Sequence, residues 1–319
     1  MDETIPESCN KESGSQGPGA TPFVYLVCGL TLGSEFPLDG LMPGSLQADV
    51  MICLGKAPER LEKPILDTPE YQSSRGELLL HVNGLASFYV LEGYRVIVDT
   101  CGKPVSGDIQ LHILGTVLGA LLLQRGLIPL HGSAVNINGR GVLFVGESGA
   151  GKSTLTRALC SRGYSFLTDD IAAIKVSGER QPIVFPGYPQ QKLWQDTLDR
   201  MDVNASESLL VRVFNTMKKF SVPASELFFQ KPLPIDRIYE IKTWPGKTLE
   251  LEPVRGAAKA GLIMQNTYRA FLVNGMDVGR HYFDQCIDLA QSVRLYRLSR
   301  PENSFSVDDM VEKILGPYV

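Results

Sequence analysis

The sequence predicts an α/β (α+β) protein: a P-loop domain preceded by a small β-rich one. Three observations lead there. Residues 23–100 carry short apolar runs spaced too tightly for helical crossovers. After Ile128, apolar strands alternate with helical patterns. Gly146–Ser153 reads as a phosphate loop between a strand and a helix.

The chain has 319 residues, 44% hydrophobic and 21% charged. That composition excludes fibrous, collagen-like and wholly disordered chains and suits about two domains. Residues 1–21 are rich in Ser, Gly and Glu and carry no apolar run, which predicts a disordered tail rather than a secretory signal. Residues 22–105 are assigned to a β-rich N-terminal domain and 106–319 to a catalytic domain.

In the first domain, Phe23–Cys28, Val50–Leu54, Glu77–Val82, Leu85–Leu91 and Tyr94–Val98 read as strands. Asn83-Gly84 between two of them is a hairpin signal, so the unit should be antiparallel. Asp108–Gln124 switches to a helical pattern, apolar nearly all round, which predicts a buried helix. Its apolar stretch, Leu111–Leu123, is shorter than the ~20 residues of a membrane span, so no membrane partner is expected. In the second domain, Ile128–Val135, Val142–Val145, Tyr164–Leu167, Ile183–Phe185, Ile238–Ile241 and Val293–Leu298 read as strands. Helices are predicted near Gly151–Cys160 and at Gly256–Val273, Val278–Ser292 and Val307–Leu315.

A net charge of -4 without a basic stripe argues against a nucleic-acid partner. Six cysteines scattered without a CxxC pair suit a reduced, cytoplasmic protein.

Gly146-Glu147-Ser148-Gly149-Ala150-Gly151-Lys152-Ser153 fits G-x-x-x-x-G-K-[ST] at every fixed position. Glycines let backbone N–H groups turn inward around phosphate oxygens, and the helix start adds partial positive charge. Gly146, Ser148, Gly149, Ala150, Gly151, Lys152, Ser153 and Thr154 are therefore the candidate nucleotide-binding residues. Lys152 would reach the β- and γ-phosphates of ATP, and the Ser153 hydroxyl would hold Mg²⁺. One helix and one strand later come Asp169-Asp170, at a strand's C-terminal end, where ligands of parallel α/β sheets bind. In phosphoryl transfer one carboxylate can accept the acceptor's proton while another holds Mg²⁺. His131, on the strand before the loop strand, can orient a carboxylate. Secondary candidates are the Pro186–Lys192 turn with its exposed-looking tyrosine, Lys218-Lys219, and Tyr268-Arg269 on a predicted helix, where Arg269 suits a surface ion pair or, as an alternative, a phosphate contact. Trp194 reads as packing.

Leu130–Ala134, Gly146–Thr154, Arg162-Gly163-Tyr164 and Asp169-Asp170 together resemble the catalytic domain of the HPr kinase/phosphorylase family. The resemblance implies a fold related to ATP-dependent phosphoenolpyruvate carboxykinase. It implies Asp169 as general base toward a serine hydroxyl, Asp170 close to the metal and His131 supporting the base. Thr154 stands where the bacterial regulators usually carry Glu. Residues 25–41 and 118–130 resemble a divergent branch that includes lasso peptide tailoring kinases. This implies a kinase of a peptide or small protein, acting on the C-terminal serine of a lasso-type precursor, and a homo-oligomer by analogy. A small-metabolite kinase, an HPr-type regulatory kinase/phosphorylase and an ATP-binding switch without transfer are the alternatives.

Overall fold

In the computed structural model, the described residues are 23–44, 47–178, 180–202, 209–214, 217–302 and 306–318. The predicted tail 1–21 and Cys9 lie outside them.

The first part is a nine-stranded sheet. Its strands are β1 (Phe23–Val27), β2 (Leu30–Ser34), β3 (Met42–Pro43), β4 (Val50–Leu54), β5 (Leu66–Asp67), β6 (Tyr71–Ser74), β7 (Glu77–Val82), β8 (Ala86–Leu91) and β9 (Arg95–Asp99). Their order is β3-β1-β2-β4-β9-β8-β7-β6-β5. The β7–β8 hairpin turns at Asn83-Gly84, with Val82 opposite Ala86. The sheet is not wholly antiparallel, as the sequence suggested: β4 runs parallel to both β2 and β9. The link from β4 to β9 is itself the β5–β8 meander, so strands make the crossover that a helix usually makes.

A helix then crosses from the first sheet to the second. It comprises α1 (Gly107–His112), a helical stretch (Ile113–Val117) kinked at Gly115, and α2 (Leu118–Gln124). Every residue from Ile113 to Leu123 is buried, as its all-round apolarity predicts. Gly107–Gln124 is long and apolar enough by composition to span a membrane, but 67% of it lies inside the protein.

The second part contains β10 (Ile128–Ile137), β11 (Arg140–Val145), α3 (Lys152–Cys160), β12 (Ser165–Thr168), β13 (Ile171–Ser177) and β14 (Arg180–Val184). β15 (Gln190–Trp194), α4 (Gln195–Arg200), β16 (Leu209–Phe214), β17 (Met217–Pro223), β18 (Leu233–Trp244) and β19 (Glu250–Pro253) follow. α5 (Ala257–Gln265), α6 (Phe271–Gly275), α7 (Gly279–Ser292), β20 (Arg294–Pro301) and α8 (Val307–Leu315) complete it. The main sheet runs β11-β10-β13-β14-β18-β20-β19 and folds back on itself, because β11 also pairs with β18. β10 serves three neighbours: Ile128–His131 pair with β13, Gly132–Ile137 pair with β11, and Ala134–Asn136 pair with β12 on the other edge. β15, β17 and β16 form a separate three-stranded sheet.

One apolar core runs from the first sheet through the buried helix into β10, β11 and β13, with members such as Phe88, Leu121 and Leu130. A second fills the other face, where α3 and α8 cover β11 and β18 through Leu155, Phe144 and Ile314. No disulfide joins the described cysteines.

The predicted helix 256–273 is in fact two, α5 and α6. The chain between them leaves helical geometry to join β10: the Tyr268 amide donates to the Pro129 carbonyl at 2.8 Å, and Arg269 adopts a φ of 53°.

Candidate functional site

The site is built where β11 and β12 end beside the middles of β10 and β15. β11 delivers the phosphate loop and α3 leads out of it. Gly146 has a φ of 137°, and a Cβ there would stand 2.3 Å from the Ile241 carbonyl oxygen, so only glycine fits. Gly149 and Gly151 also have positive φ, at 89° and 110°. Lys152 is 7% exposed and donates from Nζ to the carbonyls of Gly146 (2.6 Å) and Glu147 (2.9 Å). Burial pushes its ammonium down to about 8, against the opposing pull of Asp169.

Ser148, Gly149, Gly151, Lys152, Ser153 and Thr154 line a cavity of about 430 Å³. Gly146 borders a second cavity instead. Ala150 is buried, and its carbonyl accepts from Arg300 Nε at 2.8 Å. Arg300, Trp194 and Arg200 also line the first cavity and carry no phosphate-loop signature in the sequence. Trp194, read as packing, sits there with Lys219 Nζ 5.6 Å from its ring centre.

The acidic pair divides sharply. Asp169 is 2% exposed and borders neither cavity. Its Oδ1 accepts from the hydroxyls of Ser133 (2.5 Å) and Ser153 (2.9 Å), and its Oδ2 from the Lys192 amide (2.8 Å). Asp170 has a φ of 96° and lines both cavities. Lys192 Nζ donates to its Oδ2 at 2.6 Å, and His131 Nδ1 lies 3.6 Å from its Oδ1. Burial alone would raise the Asp170 carboxyl, but Lys192, His131 and Lys219 hold it well below the usual carboxylate range. Burial, then Lys152, lowers His131 below its ordinary 6.5, against the pull of Asp170. Lys192 is the first of the partners that hold Asp170 ionised against burial. His131 Nδ1 lies 3.2 Å from the Asp170 carbonyl oxygen, so the tautomer assigned on geometry puts the proton on Nδ1 and leaves Nε2 as acceptor.

The sequence expectation was Asp169 as base and Asp170 as metal ligand. The structure places Asp169 against the Ser153 hydroxyl and Asp170 on the two cavities. Asp169 has both oxygens engaged and touches the Ser153 hydroxyl, the phosphate-loop arrangement that holds Mg²⁺ in P-loop enzymes. A serine hydroxyl and a carboxylate are hard oxygen donors that fit Mg²⁺ carried in on phosphates. Among the described residues, no group of three or more His, Cys, Asp or Glu side chains could hold a metal, so phosphates and water would supply the remaining ligands. Asp170 has the cavity-facing position that a base needs.

Other expectations change as well. Tyr188 is 5% exposed, not on the surface. Lys192, the cation of the same turn, grips both aspartates. Lys218 is exposed, while Lys219 lines both cavities. Arg269 makes no ion pair among the described residues. It lies 5.6 Å from the Tyr268 ring centre in the second cavity. Ser133, a partner of Asp169, was legible only as part of the His131-Gly132-Ser133 run.

The profile of the HPr Serine kinase C-terminal domain matches residues 126–193, the segment from β10 through β15 that builds this site. Over this segment the chain is HPr kinase-like. An HPr kinase/phosphorylase of Mycoplasmopsis pulmonis is 26% identical over 199 residues, covering 58% of this chain and 64% of that protein. One from Chlorobium phaeovibrioides is 45% identical over 108 residues, covering 34% of this chain and 32% of its own. The chain thus spans less than two thirds of these HPr kinase relatives. Among solved structures, the HPr(Ser) kinase/phosphatase of Coxiella burnetii aligns with 60% of this chain and 95% of its own, at 13% identity and a TM-score of 0.30.

Proposed function

We propose that the chain is an ATP-dependent serine kinase acting on a peptide or small protein. The observation that carries this reading is the meeting of two cavities at Asp170, with the phosphate loop in one of them. Loop amides and Lys152 hold the triphosphate. Mg²⁺ at Ser153 and Asp169 would neutralise the β- and γ-phosphate oxygens. The acceptor hydroxyl enters from the second cavity. Its oxygen bonds to the γ-phosphorus as the bond from that phosphorus to the β–γ bridging oxygen breaks. Its proton passes to Asp170, and ADP leaves. His131 and Lys192 orient Asp170 from either side.

For the acceptor, the resemblance to lasso peptide tailoring kinases supports a precursor peptide ending in serine. The printed names of the relatives support a second reading, an HPr-type kinase/phosphorylase, through the same site. A cytoplasmic location and a homo-oligomer accompany either reading, and size-exclusion chromatography tests the latter.

Mass spectrometry after incubation with Mg-ATP tests the function. The acceptors are a peptide ending in serine, HPr protein and a panel of small hydroxyl metabolites. Phosphate gained by the peptide supports the first reading, and phosphate on HPr alone supports the second. Transfer to metabolites alone, or ATP hydrolysis with no acceptor modified, overturns the peptide or protein kinase reading.

A further inference from the structure

We propose that the second cavity is the acceptor chamber and that Arg269 within it selects an acceptor with a carboxylate close to its hydroxyl. The inference rests on the serine-kinase reading and names the chemistry that this site would choose.

The chamber, about 530 Å³, shares only His131, Ser148, Asp170 and Lys219 with the nucleotide cavity. That volume is in the range of small-ligand sites. Most of its remaining wall comes from two stretches, residues 111–116 and 265–269. Both lie outside the segment 126–193 that matches the kinase profile. The segment with the family match is thus on one side of Asp170, and walls from outside that segment are on the other.

Both stretches depart from regular geometry. The first contains a kink between two helices, where Gly115 leaves helical geometry at φ −107° and ψ −109°. Gly115 and Thr116, at this kink, stand in the chamber wall. A Cβ at Gly115 would meet the Tyr268 hydroxyl at 3.4 Å, so the two walls are already in close approach. The second stretch is the break between α5 and α6, with Arg269 in the left-handed region at φ 53°. A bulky non-glycine residue there stores backbone strain, which is characteristic of ligand clamps.

Charge gives the class of ligand. The chamber's cations are Lys192, Lys219 and Arg269. Lys192 is engaged by Asp170. Arg269 faces no carboxylate within ion-pair distance among the described residues. It rests on Tyr268 instead. His112 stands in the same wall, and burial first, then Arg269, pushes its imidazole below the ordinary 6.5. A planar guanidinium without an acidic partner, in the chamber that holds the base, matches a carboxylate bidentately. That carboxylate can be a peptide's own C-terminus or an acidic side chain next to the acceptor serine.

The test uses the full chain, Mg-ATP and three peptides of one sequence. One ends in serine as the free acid, one ends in serine amide, and one ends in serine-aspartate amide. The expected result is a kcat/KM for at least one acid-bearing peptide about tenfold to a hundredfold above that of the serine amide. In Arg269→Gln this ratio should fall to within about threefold, with Arg269→Lys between the two. Which acid-bearing peptide is preferred identifies the source of the carboxylate. Equal kcat/KM for all three peptides with the wild-type protein overturns the inference and leaves the kinase reading intact. So does a ratio that survives in Arg269→Gln. If that variant fails to fold by thermal melting, Arg269→Lys carries the comparison. Transfer to none of the peptides, with nucleotide bound, overturns both the inference and the peptide-kinase reading.

Discussion

At the scale of single residues, two adjacent aspartates have different surroundings and therefore different chemistry. Asp169 is saturated by three donors, and Asp170 faces open space with Lys192 at its side. Asp170→Asn should lower kcat by about 10²–10⁴-fold, the usual worth of a general base, while nucleotide binding persists. Asp169→Asn should instead weaken Mg-dependent nucleotide binding and lower the melting temperature, because three buried donors lose their charged acceptor. Stopped-flow nucleotide binding beside steady-state kinetics separates the two variants. If Asp169→Asn keeps full Mg-nucleotide affinity, the assignment of Asp169 to the metal fails. The phosphate loop was legible because its spacing alone specifies it. The orientation of the acidic pair was not. Both aspartates lie in the bend between β12 and β13, where Asp170 has a φ of 96°, and strand alternation in the sequence does not predict such a bend.

At the scale of elements, the reading succeeded where periodicity was strong and failed where tertiary bonds override it. Every residue of α2 except Gln124 is buried, as predicted. Leu121→Ala in that helix should cost about 2–5 kcal/mol, measurable by urea denaturation, since the side chain is 1% exposed. A loss below about 1 kcal/mol would show that the site collapses around the void. The break between α5 and α6 was invisible because residues 256–273 keep a helical pattern throughout. The backbone bond from Tyr268 to β10 breaks that helix, and no local sequence signal encodes a partner so distant in the chain. β13 was missed because it begins directly after the acidic pair, and the three-stranded sheet because its strands carry polar residues such as Gln190 and Lys218.

For the whole molecule, the two domains expected from length share one apolar core through the buried helix. The C-terminal end is tied to the second sheet by Asp236 on β18, which accepts from Tyr318 Oη at 2.5 Å and pairs with Arg294 on β20 and Arg237. Burial opposes ionisation of Asp236, but Tyr318, Arg294 and Arg237 together depress its carboxyl below the ordinary 3.8. The folded value is below the unfolded one, so ionised Asp236 stabilises the fold above the unfolded value. That contribution is lost as pH falls through the folded value. The melting-temperature deficit of Asp236→Asn should therefore be largest near neutrality and shrink below about pH 3.8. A deficit constant from neutral to acid pH would disprove the linkage.

The three donors on Asp169 come from β10, α3 and β15, elements separate in sequence and drawn from both the main sheet and the small one. Asp169 is therefore a keystone set last. No hairpin or isolated phosphate-loop unit can orient it, and a chain with native helix content but an undocked β15 has no working centre. During refolding, phosphotransfer should return with the slowest docking step and not with the helical signal. Recovery of the proposed kinase activity would then time the closure of the whole architecture.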